Sequence, residues 1–257
     1  MSHPAPCYVV GHERSGTHLL LNTLLRNADV QPQFYSVNGW RGPYTEDEPG
    51  RFWNVEQLGR DWDAIAARAS LIKTHCDRGL FAARYPRAQV LYVLRDPRDT
   101  LVSAFHFFRH PSMAQVACAP QDRCETVAEY LRHPASDYLR WAYSLHDAGD
   151  TVAERWARHV SGWLSAPDTL VVRYEDLVTD YRVVLGRVAN FLGLDLLPAL
   201  APVGLHDCFS FAPRTGVIGD GHRAMTEADE ALVQEAVAHA GLDWDAMVWQ
   251  EGALCRG

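Results

Sequence analysis

Three short segments carry residues whose types and spacing could do chemistry. The first is Gly11-His12-Glu13-Arg14-Ser15-Gly16-Thr17, set between an apolar run and a helical pattern. A glycine-bounded turn that enters a helix presents backbone N–H groups and the positive end of the helix dipole to an anion. The two glycines have Walker A spacing, but Thr17-His18 stands where Lys-Ser or Lys-Thr should follow, so the phosphate lysine and the magnesium-holding hydroxyl in register are both absent. The loop's cation is Arg14 instead, and a plain capped helix start is the competing reading. The second segment, Lys73-Thr74-His75, and the third, Arg95 to Ser103, each end or follow an apolar run. Arg14, Lys73, Arg95 and Arg98 make a cationic set in a chain of net charge −8. That contrast points to an anionic small molecule held in a pocket. Lys73 is the single lysine beside 23 arginines: a compact point charge where the chain otherwise uses planar forks.

The elements that must position these groups are readable from hydrophobic period. Cys7–Gly11 reads as a buried strand, and Leu20, Leu21, Leu24 and Leu25 place a helix over 17–26. Strands are predicted at 70–74, 89–94 and 169–173, the second continuously apolar and therefore covered on both faces. Helices are predicted at 61–69, 79–85, 97–108, 126–146, 151–164, 180–192 and 227–240. Pro97 suits a first turn, Gly193 a C-cap and Thr226 an N-cap. Residues 32–62, 109–125 and 198–224 read mostly as loop. Strands alternating with helices predict one α/β domain over 1–257, a central parallel sheet flanked by helices, with ligands at the carboxyl ends of the strands.

On these motifs the chain resembles the cytosolic-type sulfotransferases, which use 3′-phosphoadenosine 5′-phosphosulfate (PAPS). The family's Lys-Ser-Gly-Thr loop resembles Arg14-Ser15-Gly16-Thr17, and its Lys-Thr-His strand end is matched by Lys73-Thr74-His75. Its Arg-x-Pro-x-Asp motif with a following Ser is matched by Arg95, Pro97, Asp99 and Ser103. Its Tyr-Glu-Asp-Leu segment appears as Tyr174 to Leu177, and its late loop as Arg214-Thr215-Gly216 through Gly219-Asp220. The resemblance implies the sulfotransferase fold with a P-loop-like phosphosulfate loop, and sulfuryl transfer from PAPS to a hydroxyl or amine, with PAP as product and no metal required. It implies His75 as general base, with Lys73 and Arg14 at the sulfuryl group and leaving 5′-phosphate. Ser15, Gly16, Thr17 and His18 would complete the cradle. Arg95, Ser103 and Arg214, with Thr215 and Gly216, would hold the 3′-phosphate. Tyr174 would lie at the adenine, with Phe209 a second candidate.

Departures accompany the match. Arg14 replaces the family's usual Lys, His18 a common Thr, Leu19 the adenine-packing Trp, and Gly221 the Trp of the late loop. No dimerisation motif is matched, so oligomeric state stays open. Phe34, Tyr35, Trp40, Tyr44, Phe52, Trp53, Phe105 and Phe108 are candidates for a pocket taking an apolar or aromatic alcohol or phenol. Core packing is the competing reading for each. A P-loop kinase and a non-catalytic nucleotide binder are the alternatives to the transferase. Net negative charge argues against nucleic acid as partner, and no 18-residue apolar run predicts a membrane span. Six dispersed cysteines without a C-x-x-C pair, and no visible secretory signal, predict a cytoplasmic protein with no zinc site.

Overall fold

The structure, a computed structural model, describes residues 7–30, 34–37, 71–84, 88–109, 124–135, 150–204 and 215–250. Its centre is a five-stranded sheet built from β1 (Cys7–Gly11), β2 (Phe34–Val37), β3 (Leu71–Thr74), β4 (Val90–Leu94) and β5 (Thr169–Arg173), in the order β2-β3-β1-β4-β5. Every pairing is parallel, and the register sets Val9 beside Lys73 and beside Leu91. All strands therefore end on one edge, where β1 and β3 deliver the loop and Lys73-Thr74-His75 side by side.

Alternation along the strands divides the core in two. Tyr8, Val10, Ile72, Tyr92 and Leu94 face one side, and Val9, Leu71, Leu91 and Val93 the other. The helices in chain order are α1 (Thr17–Asn27), α2 (Arg78–Arg84), α3 (Pro97–Phe108), α4 (Val127–Arg132), α5 (Val152–Leu164), α6 (Tyr174–Thr179), α7 (Tyr181–Leu192), α8 (Asp220–Ala224), α9 (Glu227–His239) and α10 (Trp244–Met247). Leu20, Leu21 and Leu24 of α1, with Leu185 and Val188 of α7, cover one face. Leu101 and Phe105 of α3, Trp156, Val160 and Trp163 of α5, and Val233 and Val237 of α9 cover the other. The unbroken apolar character of β4 follows from this double cover.

Local signals acted as the sequence predicts at several ends. Asp96 caps α3 through the Arg98 amide with Pro97 in the first turn, and Thr226 forms a capping box with Asp229. Gly193 ends α7 at φ 65°. Two readings need correction. The helix predicted over 126–146 is broken after Arg132, and its part from 136 on lies outside the described residues. His133 is extended (ψ 139°) before Pro134, because proline bars the preceding residue from the helical region, and Pro134 bridges to Thr151. The sheet also has a fifth strand, β2, in a stretch read mostly as loop. The predicted helix 61–69 lies outside the described residues. No described helix is long and apolar enough to cross a membrane.

Leu91 is fully buried at the middle of the sheet. Leu91→Ala should cost about 2–5 kcal/mol of unfolding free energy, read from the urea midpoint; a midpoint within error of the parent would contradict this packing.

Candidate active site

The loop after β1 is tightly constrained. A side chain at Gly11 would overlap Ser15 Oγ and approach the Val93 carbonyl oxygen at 2.9 Å. Arg14 has φ 69° and Gly16 φ 104°; an L-residue with a side chain seldom takes such values. Gly16 is pressed against the Tyr174 ring, so closely that a methyl group would enter it. Two hydrogen bonds hold the turn: the Ser15 amide donates to the His12 carbonyl oxygen at 3.1 Å, and Arg95 Nη1 donates to the Arg14 carbonyl oxygen at 3.3 Å. The loop opens into α1, whose first turn has no acidic residue. Its leading amides lack intrahelical acceptors, the usual condition for anion binding.

His75 sits just past β3 and is buried. Its Nδ1 lies 2.5 Å from the Gly11 carbonyl oxygen. A carbonyl can only accept, so Nδ1 carries the proton and Nε2 keeps its lone pair. Burial, together with the nearby Lys73 ammonium, holds the imidazole well below its ordinary pKa, against the opposing pull of Glu13. The ring is therefore neutral near pH 7. Lys73 shares the face of Val9 and Leu71 by register and is buried at 3% exposure. Burial lowers its pKa to about 7; Glu13 opposes that fall and Arg14 adds to it.

The second half of the site grows from the start of α3. Arg95 lies 4.3 Å from the centre of the Tyr174 ring, and its Nη2 is 3.6 Å from Asp99 Oδ2. Asp99, 1% exposed, accepts from the Gly219 amide at 2.9 Å and the Gly221 amide at 2.6 Å. Gly221 lies so close to the Arg98 and Asp99 backbone that no side chain fits there. This is the physical reason glycine stands where the resemblance leads one to expect Trp. Tyr174 Oη donates to the Gly216 carbonyl oxygen at 3.0 Å, and Thr215 Oγ1 donates to Asp220 at 2.8 Å. Arg14 Nε donates to Ser103 Oγ at 3.3 Å, and its guanidinium lies 4.5 Å from the centre of the Phe107 ring. Arg14 thus joins the two halves, turned toward α3 while close enough to depress Lys73.

Of the residues read from the sequence, Arg14, Ser15, Gly16, Thr17, His18, Lys73, His75, Arg95, Ser103, Tyr174, Thr215 and Gly216 meet along the carboxyl edge of the sheet or on the loop and helices that close it. Phe209 and Arg214 lie outside the described residues, as do Trp40, Tyr44, Phe52 and Trp53; the side chains of Phe34 and Tyr35 are likewise not described. Phe105 and Phe108 are core residues, packed against Tyr130 at 5.8 and 6.4 Å between ring centres.

Sequence reasoning missed Glu13 and Arg155. Glu13 is 5% exposed, and Arg155 of α5 grips its carboxylate with Nη1 at 2.7 Å and Nη2 at 3.0 Å. An acid inside an anion-binding loop was the available signal, since such a charge needs a buried partner; 142 residues separate the two. Glu175 was also missed as a site-builder. It is fully buried and accepts from the Asp96 amide at 2.9 Å, tying α6 to the turn that leads into α3.

A sequence profile of the sulfotransferase domain matches residues 5–201. This match covers most of the chain, and the chain belongs to that family. Among similar curated proteins is the 3-beta-hydroxysteroid sulfotransferase of Cavia porcellus, 32% identical over 197 residues, which cover 74% of this chain and 59% of that one. Sulfotransferase 2A6 of Mus musculus is 24% identical over 198 residues, 74% of this chain and 60% of that one. The chain thus spans about three fifths of the length of these relatives. The crystal structure of mouse sulfotransferase SULT7A1 complexed with PAP shares the fold, with TM-score 0.64 and 19% identity over 94% of this chain and 85% of that one. Retinol dehydratase in complex with retinol and PAP superposes with TM-score 0.53 and 17% identity over 95% of this chain and 83% of that one.

Gly16→Ala should cost roughly 1–3 kcal/mol, through its positive φ and its overlap with Tyr174. An unchanged denaturation midpoint would show that the loop is not pinned by that ring.

Proposed function

We propose that this chain transfers a sulfuryl group from PAPS to the hydroxyl or amine of a small-molecule acceptor, acting as a single domain over 1–257. The observation that carries the reading is the pairing of a neutral His75, its Nδ1 proton held by Gly11, with the buried Lys73 at the mouth of an anion-binding loop. Two further observations fit the nucleotide. Ser15 Oγ and Arg95 Nε are buried without a hydrogen-bond partner among the described residues, and buried polar atoms of that kind call for a ligand or water.

PAPS, when bound, supplies the sulfuryl group. Ser15, Gly16, Thr17 and His18 would hold its phosphosulfate end. Arg95, Ser103 and Gly216, with Arg214, would hold the 3′-phosphate, and Tyr174, with Phe209, would flank the adenine. His75 Nε2 would take the proton of the acceptor; a nearby anion raises the imidazole pKa and so makes it a better base. Lys73 and Arg14 would offset the negative charge that develops at the leaving oxygen, the place where preorganised donors act most strongly. The hydroxysteroid sulfotransferases and the retinol complex among the similar proteins support an apolar alcohol as acceptor class. None of the described residues forms a His, Cys, Asp and Glu group suited to a metal. A cytoplasmic setting is part of the same proposal.

PAP at a hundred times its Kd should add about 2.7 kcal/mol of apparent stability, whereas ADP, or ATP with magnesium, should add much less. Stabilisation by ATP with magnesium alone would turn the assignment toward a kinase. His75→Ala should lower kcat by roughly 10²–10⁴-fold while PAP binding persists. Turnover close to the parent would remove His75 from the role of base.

A further inference from the structure

A carboxylate within an anion-binding loop is electrostatically misplaced unless it serves another charge. Glu13 stands one residue before Arg14, on the loop that faces Lys73, and it is buried together with Arg155. The Arg155 fork holds both carboxylate oxygens, and Arg155 Nη1 also meets His12 Nε2 at 2.8 Å. His12 Nδ1 in turn meets the Glu13 carbonyl oxygen at 3.0 Å. Because guanidinium can only donate and a carbonyl can only accept, His12 is neutral with its proton on Nδ1. Side chain and backbone of Glu13 are thus both anchored, directly and through His12, to one residue of α5.

We propose that Glu13, clamped by Arg155, is a positioning residue that fixes the phosphosulfate loop from beneath and supplies the buried counter-charge of Lys73. The inference deepens the sulfuryl-transfer reading and rests on it for the use made of that charge.

The surroundings leave Glu13 as the counter-charge. Lys73 meets Glu13 as its opposing charge and Arg14 as a like charge, with the neutral His75 beside it. Around Glu13, α5 contributes Arg155 and the neutral His159, β4 contributes Tyr92, α4 contributes Tyr130, and the loop contributes His12. Burial shifts each of these non-arginine groups toward its neutral form: His12 falls to about 3, His159 is lowered, and both tyrosines are raised. Burial would raise the Glu13 carboxyl as well, but the Arg155 guanidinium, which holds both its oxygens, keeps it well below the carboxylate range. Glu13 is therefore ionised throughout the range in which Lys73 titrates. A lysine is cationic below its pKa, so the loss of Glu13 makes Lys73 shed its proton at lower pH.

The single lysine of the chain makes this directly readable. Full-length protein labelled with [ε-¹³C]lysine has one side-chain resonance, Lys73, and its titration needs no nucleotide. Glu13→Gln should move the midpoint about one pH unit to the acid side, the effect of removing a close opposite charge. It should also weaken PAP binding, measured by calorimetry, more at pH 8 than at pH 6. Should Glu13→Gln fail to fold around an unpaired Arg155, the double variant Glu13→Met with Arg155→Met removes both charges together; loss of the Arg155 cation works against loss of the carboxylate, so its acid shift should be smaller. An unmoved Lys73 midpoint in folded Glu13→Gln, or a shift to the basic side in the double variant, overturns the proposal. A wild type that binds no PAP overturns the sulfuryl-transfer reading, and with it the use assigned to the charge, whatever the titration shows.

Discussion

The Gly11 carbonyl oxygen can accept a hydrogen bond and cannot donate one. That asymmetry fixes the tautomer of His75 and so decides which ring nitrogen is open. For the contact to exist, β1 and β3 must be neighbours in register, with Val10 beside Thr74. The chain must also turn at Gly11 without a side chain, because Ser15 and the Val93 carbonyl occupy that space. The parallel sheet, the glycine and the histidine form one constraint seen at three scales. Moving the strand pair by one residue would turn Lys73 to the opposite face.

Charge is the second organising quantity. The site gathers Arg14, Lys73 and Arg95 in or near the interior, and each needs an anion or a ring as neighbour. Arg95 rests on Tyr174 and beside Asp99, and Arg14 on Phe107. Asp96 binds Arg98 with both carboxylate oxygens and also receives the Trp249 amide at 2.9 Å. Pairs this well buried are weak contributors to net stability, yet costly to break from one side. Their value is geometric: Asp99 holds Arg95 and the late loop to the same helix turn.

Much of this was legible in the sequence because it is local. The Gly11–Thr17 turn, the Lys73–His75 strand end and the Pro97 helix start each sit within a few residues of the pattern that announces them. So does the Thr226 cap. What escaped is non-local or overridden by context. Helical period ran on past Arg132, but Pro134 and its bridge to Thr151 stopped the helix. β2 is four residues at the sheet edge, too short for alternation to register. Phe105 and Phe108 look alike as pocket or core residues until the opposing Tyr130 is placed. No local rule pairs Glu13 with a helix that arrives 142 residues later.

The spacing of these contacts bears on how the protein is born. Asp99 reaches forward 122 residues to Gly221, and Asp96 reaches 153 to Trp249. Contacts of such sequence separation form late, since loop closure precedes their reward. On the ribosome the strands up to β4 can pair early, but the turn at Asp96 and Asp99 stays open until residues near Trp249 have emerged. A nascent chain can therefore pair its first strands well before the late loop closes on α3, and stalled or clipped chains will carry the Lys73–His75 strand end without the contacts that Asp99 makes to that loop and Asp96 to Trp249.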